Sequence, residues 1–105
     1  DVSWPYHPLK EGTHEKTMKI DGSNHQIHVV SVAQDNDPET RSGSIYYITE
    51  DNNPHSSPVA KLEVRHVNPE TNEYDPHFAI GLTEPKYRGK GLGTKLHLAA
   101  LKDYK

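Results

Sequence analysis

Residues 78–105 constrain this chain more than any other part of it. They run from an apolar stretch, Phe78-Ala79-Ile80-Gly81-Leu82, through a basic, glycine-rich stretch, Pro85-Lys86-Tyr87-Arg88-Gly89-Lys90-Gly91-Leu92-Gly93-Thr94. The tail that follows repeats apolar residues at helical spacing: Leu92, Leu96, Ala99, Ala100 and Tyr104. The order reads strand, loop, helix. A helix with one apolar stripe must lay it on a partner layer, and a strand must find neighbours, so the segment calls for a sheet with a helix on one face. Lys102 and Lys105 fall in the C-terminal half of the helix, where its dipole favours cations. Glycine has no Cβ, so its amide approaches a bulky anion closely and takes backbone angles closed to other residues. A helix starting at such a loop aims its free N–H groups and positive end at one spot, and the expected ligand is a phosphate or pyrophosphate.

The preceding sequence supplies the sheet. Met18 and Ile20 alternate with Thr17 and Lys19, Asp21-Gly22 is a turn signal, and Ile27, Val29, Val30 and Val32 follow, which predicts a β-hairpin. Residues 34–43 are polar and contain Pro38, so they read as a loop. Residues 44–49 are β-branched and aromatic, hence a strand. The asparagines, serines and prolines of 51–58 read as a turn. In 59–67, Leu62 and Val64 alternate with Lys61, Glu63 and Arg65, which predicts a strand with one buried and one wet face, with Glu63 and Arg65 as an exposed ion pair. After a second polar turn, the run 78–82 is apolar enough to predict a central strand covered on both faces. The fold class is therefore α+β: an antiparallel β-meander of about five strands followed by one C-terminal helix. Residues 1–16 carry Trp4, Pro5, Tyr6 and Pro8 without periodicity and read as an extended segment, with the domain proper at 17–105.

The segments 85–94 and 78–82 together carry a family resemblance. Arg88-Gly89-Lys90-Gly91-Leu92-Gly93 fits Arg/Gln-x-x-Gly-x-Gly/Ala, the acetyl-CoA loop of the GNAT superfamily of N-acetyltransferases. An apolar strand precedes it, Pro85 and Tyr87 sit just before the arginine, and Leu96 follows on the helix. The resemblance covers roughly the last quarter of the chain and implies transfer of an acetyl group from acetyl-CoA to an amine on a small molecule or protein. It implies that the amides of Gly89, Lys90, Gly91, Leu92, Gly93 and Thr94 hold the pyrophosphate, with Arg88 and Lys90 adding charge. It also implies that backbone along Ile80, Leu82 and Thr83 pairs with pantetheine. In histone-acetylating members the general base is a glutamate about eleven residues before the motif, and counting back from Arg88 reaches His77. A histidine there suits proton abstraction near neutral pH, whereas Asp75, Glu63 and His66 are weaker candidates.

This sequence also departs from the family. Family members place one or two helices after the first strand, and residues 34–43 are too few for two. They continue past the loop helix with a further strand, helix and strands, whereas this sequence ends at Lys105, so the resemblance is to the N-terminal half. A sheet ending at the loop-bearing strand leaves an open edge, which a second chain or second copy would cover. A non-catalytic binding or structural module within a larger assembly is therefore the other expectation.

Composition narrows the rest. A net charge of −3 with histidines neutral does not suit a general nucleic-acid binder, and no basic stripe accompanies the adjacent Tyr46 and Tyr47, which read as packing residues. No apolar run approaches the ~20 residues that span a bilayer. No signal segment is visible, and the sequence has no cysteine, so a cytoplasmic location is expected. The eight histidines are scattered. His25 and His28 fall on opposite faces of a strand, and solvated histidines are expected rather than a metal site.

Overall fold

Each of the five segments rich in β-branched and aromatic residues forms a strand, and the tail forms a helix. A computed structural model describes residues 13–20, 22–32, 43–68, 70–71 and 73–104. Strands β1 (Thr13–Lys19), β2 (Gln26–Val32), β3 (Gly43–Thr49), β4 (Pro58–Val67) and β5 (Tyr74–Thr83) pair antiparallel in chain order. A 3₁₀ turn (Pro85–Tyr87) leads to helix α1 (Leu92–Asp103). The class is α+β, as expected. The extended segment 1–16 falls largely outside the described residues, but its end does not stay apart, because Thr13 already opens β1. The polar loop expected at 34–43 also lies outside them, apart from Gly43, which belongs to β3.

The turns behave as their residues dictate. Gly22 has φ +74°, and Ser23 N–H donates to Ile20 O at 3.2 Å, closing the β1–β2 hairpin. In the β3–β4 turn the Asp51 carboxylate accepts from Asn53 N–H at 3.1 Å and Ser56 Oγ at 2.9 Å, bonds that pull its pKa below the ordinary value. Asn52, at φ +60°, accepts Gln26 N–H through Oδ1 and donates through Nδ2 to Asn24 O, so the two turns are clasped together.

Register places Val29, Tyr46 and Leu62 in one row across the sheet, with Ile48 and Ala60 in the next, on the face that receives α1. The helix buries Leu92, Leu96 and Ala100, four residues apart, and packs on β3, β4 and β5. Each fully buried leucine contributes about 1.5–3 kcal/mol. The far end of α1 is tethered by polar bonds. Tyr46 OH donates to Asp103 Oδ2 at 2.5 Å, Lys16 Nζ donates to Asp103 Oδ1 at 2.9 Å, Ser44 Oγ lies 3.0 Å from Tyr104 OH, and His66 Nε2 also bonds that hydroxyl.

Three expectations need correction. The second face of β4 is not wet: Lys61 is 3% exposed and pairs with Glu63 at 3.3 Å, so Glu63 takes Lys61 rather than Arg65. A buried ammonium holds its place only beside a carboxylate. His28 is not solvated either. It is buried, bonded through Nδ1 to Thr17 Oγ1 at 3.0 Å and packed against the Tyr47 ring. Thirdly, β5 is not central. It is the last strand of the described sheet, begins at Tyr74, and leaves Phe78 43% exposed. The register against β4 slips twice, once around Ala79 and once around Asp75-Pro76, so β5 carries extra residues that β4 does not match. Pro76 has no N–H to lose at such a place.

Candidate functional site

The glycine-rich loop joins the end of β5 to the start of α1. Glu84 N–H donates to Val59 O at 2.7 Å, fixing the exit from the sheet. Tyr87 then turns its ring inward, 8% exposed, and its hydroxyl donates to the Glu50 carboxylate. That bond, with burial and the charges of Glu50 and Glu84, pushes the Tyr87 pKa up to about 12. The phenol therefore stays protonated at neutral pH and serves as an anchor, not as an acid. Tyr87 entered the sequence reading only as a flank of the loop motif, and its partner Glu50 not at all.

Beyond Tyr87 the backbone opens. Arg88 N–H donates to Pro85 O at 3.2 Å, and the next internal bond is from Lys95 N–H to Gly91 O at 3.1 Å. Between them, the six amides of residues 89–94 find no acceptor among the described residues. Gly89 has φ +80° and Gly91, the N-cap of α1, has φ +76°, conformations that glycine takes without strain. No side chain caps the helix. A Cβ built on Gly89, Gly91 or Gly93 would meet nothing within 4 Å, so the side of the loop that side chains would occupy is open at these glycines. The positive end of α1 points the same way.

Three cations flank the loop in sequence, Lys86, Arg88 and Lys90. Lys86 and Lys90 hold their ammonium groups 5.4 Å and 5.5 Å from the centre of the Tyr87 ring, on its faces. Lys86 lies 4.0 Å from Glu50, at the outer limit of an ion pair. Arg88 is exposed, and its Nε donates to Thr83 O at 3.0 Å, which turns the guanidinium back along β5. The structure thus brings Thr83, Arg88, Gly89, Lys90, Gly91, Leu92, Gly93 and Thr94 together. Leu92 contributes its amide only, since its side chain is buried in the core.

Ile80 and Leu82 pair across to Glu63 and Lys61 on the inner side of β5, and no described strand pairs with its outer side. His77 stands six residues up the strand from Thr83, about 20 Å away at ~3.3 Å per residue. It is exposed, with Nδ1 2.7 Å from Asp75 O. A carbonyl partner requires the proton on Nδ1, so the neutral ring presents Nε2 as an acceptor. His77 borders a groove of about 470 Å³ between β5 and α1, walled by Phe78, Val64, Leu101 and Tyr104. His97 bridges the two halves: Nδ1 donates to Gly93 O at 2.7 Å, and its ring meets Phe78 edge-on at 4.8 Å. Glu63 is taken by Lys61 and His66 by Tyr104, whereas Asp75 and His77 are both exposed on β5.

Neither the protein-family models, nor the curated proteins, nor the solved structures contain a match to this chain. Among the described residues, no helix is long and apolar enough to cross a membrane.

Proposed function

We propose that this chain is a GNAT-like acyl-CoA-binding domain that acetylates an amine, with a cytoplasmic setting. The observation that carries the reading is the run of six open amides at residues 89–94, set between a strand and a helix N-terminus. A pyrophosphate supplies the acceptors those donors lack, and Arg88, Lys86 and Lys90 add positive charge. The outer edge of β5 from Ile80 to Thr83 offers backbone groups to an amide-bearing pantetheine arm. On this reading His77 Nε2 takes the proton of the attacking ammonium. The freed amine nitrogen then bonds to the acetyl carbon; as the carbon–sulfur bond breaks, a second proton of that nitrogen passes to the departing sulfur, and the coenzyme leaves as a thiol. Positioning along one strand supplies most of the remaining catalysis.

Titration of the ¹⁵N-labelled chain with acetyl-CoA tests the first half. The amide signals of residues 89–94 shift first and saturate at micromolar to sub-millimolar coenzyme. Unmoved signals at about 1 mM, a binding free energy weaker than about 4 kcal/mol, would end the proposal. With an amine acceptor present, His77→Ala lowers turnover while leaving these shifts in place; equal rates for both proteins would remove His77 from the mechanism.

One observation favours the second reading, a binding module without catalysis. β5 lies at the sheet edge with Tyr74 71% and Phe78 43% exposed. Sedimentation of the isolated chain decides whether another copy covers that edge. A concentration-dependent dimer whose coenzyme titration is silent supports the module over the enzyme.

A further inference from the structure

A single helix is too narrow for this sheet. Five strands at about 4.8 Å spacing span roughly 19 Å, and a helix is about 10 Å wide. Because α1 sits over β3, β4 and β5, the face over β1 and β2 keeps a groove of about 420 Å³ along the helix flank. Its floor is Met18, Ile20 and Ile27, and its wall is Leu98 and Ala99, with Leu98 59% exposed. Lys95 and Lys102 form the rim on the helix side, and no carboxylate lines it. Lys19 alternates with Met18 and Ile20, so its side chain leaves the other face of β1. Neither helix lysine makes an ion pair among the described residues, whereas nearby Lys16 is held by Asp103 at 2.8 Å. Lys95, Leu98, Ala99 and Lys102 stand at i, i+3, i+4 and i+7, so one helical stripe about 10 Å long carries cation, apolar pair and cation in turn.

We propose that this groove docks an acidic amphipathic helix from a partner protein. A second helix laid beside α1 at the usual 8–10 Å would complete the layer. Its apolar residues at spacings of three and four meet Leu98 and Met18, and glutamates on its flank meet Lys95 and Lys102. The charge pattern selects against the other occupants. A second copy docking through its own α1 brings Lys95 and Lys102 against the same cations. A lipid surface reaches Leu98 but not the recessed floor, where Ile27 is 3% and Ile20 9% exposed. Docking here needs neither a coenzyme nor His77.

The test uses the full chain and two fluorescein-labelled peptides of about eighteen residues, each with leucines at alternating three- and four-residue spacing. One carries glutamates on the flanks and the other lysines in the same places. Fluorescence anisotropy at low salt gives a Kd of about 10–100 µM for the acidic peptide, at least tenfold tighter than for the basic one, and weakening as salt rises. The double substitution K95E/K102E reverses the preference. Leu98→Asp costs tenfold or more with an unchanged circular dichroism spectrum. If the charge-reversed variant loses that spectrum, K95Q/K102Q is read instead, for a tenfold loss. Equal binding of both peptides, an unreversed preference, or no binding below about 1 mM overturns the proposal. Binding to vesicles of phosphatidylglycerol in place of the peptide overturns it equally.

Discussion

Alanine at Gly91 and alanine at Gly93 should move stability in opposite directions, although the residues are two apart. Gly91 has φ +76° and ψ 12°, and no neighbour lies within 4 Å of the missing Cβ. Sterics with the surroundings therefore add nothing, and the cost is the left-handed backbone itself, about 1–2 kcal/mol for an L-residue. Gly93 sits inside the first turn of α1, has no positive φ, and also faces open space. There alanine restricts the unfolded chain and favours helix, a gain of roughly 0.5–1 kcal/mol. For a domain near 100 residues, 1 kcal/mol shifts Tm by about 4–8 °C. Gly91→Ala thus lowers Tm by about 4–16 °C, and Gly93→Ala raises it by about 2–8 °C. Thermal unfolding followed by circular dichroism, with urea titration to confirm an unchanged m-value, reads both. Shifts of the same sign would refute the left-handed cap at Gly91 and with it the aim of the loop amides. The coenzyme adds a second reading, because Gly93→Ala should bind acetyl-CoA nearly as wild type while Gly91→Ala loses tenfold or more.

Two further outcomes concern titration. Burial raises the Asp103 carboxyl, but the hydrogen bonds from Lys16 and Tyr46 and the Lys16 charge bring it below its usual value. Its folded pKa lies under the unfolded one, so its stabilising contribution is in place above about pH 4 and is lost as pH falls through the folded value; urea midpoints of Asp103→Asn should therefore fall less steeply with acid than wild type. Tyr87 titrates near 12, so the stabilisation from its raised pKa holds below its unfolded value near 10 and fades between 10 and 12. Near-ultraviolet absorbance should show Glu50→Gln moving this titration down while Tyr47, raised by burial, stays high. An unmoved Tyr87 would remove Glu50 as its partner.

Much of this fold was legible because each element announces itself locally. Strand-forming residues, asparagine–proline turns and the leucine stripe of α1 carry their conformation in short windows. The loop glycines announced only a general freedom; that Gly89 and Gly91 use it and Gly93 does not was not legible. What failed depended on neighbours. Alternation in β4 pointed Lys61 to water, but its partner Glu63 lies two residues along the same strand face, and pairing made burial tolerable. The apolar run 78–82 looked doubly covered because composition reports hydrophobicity, not position in the sheet. An edge strand half covered by a helix reads the same in one dimension. His77 was reached by spacing along a strand, and its open Nε2 depends on a bond to Asp75 O that spacing does not reveal.

The slips in β5 have a consequence for whatever meets that edge. With one irregularity around Ala79 and another around Asp75-Pro76, the longest evenly paired length of the strand is residues 80–83, about 13 Å at ~3.3 Å per residue. An incoming strand of ordinary length runs out of matching groups after four residues, so fibre-like stacking of copies is discouraged at the very border left bare. A short, flexible chain bearing a couple of amides fits such a length, and a long ribbon does not.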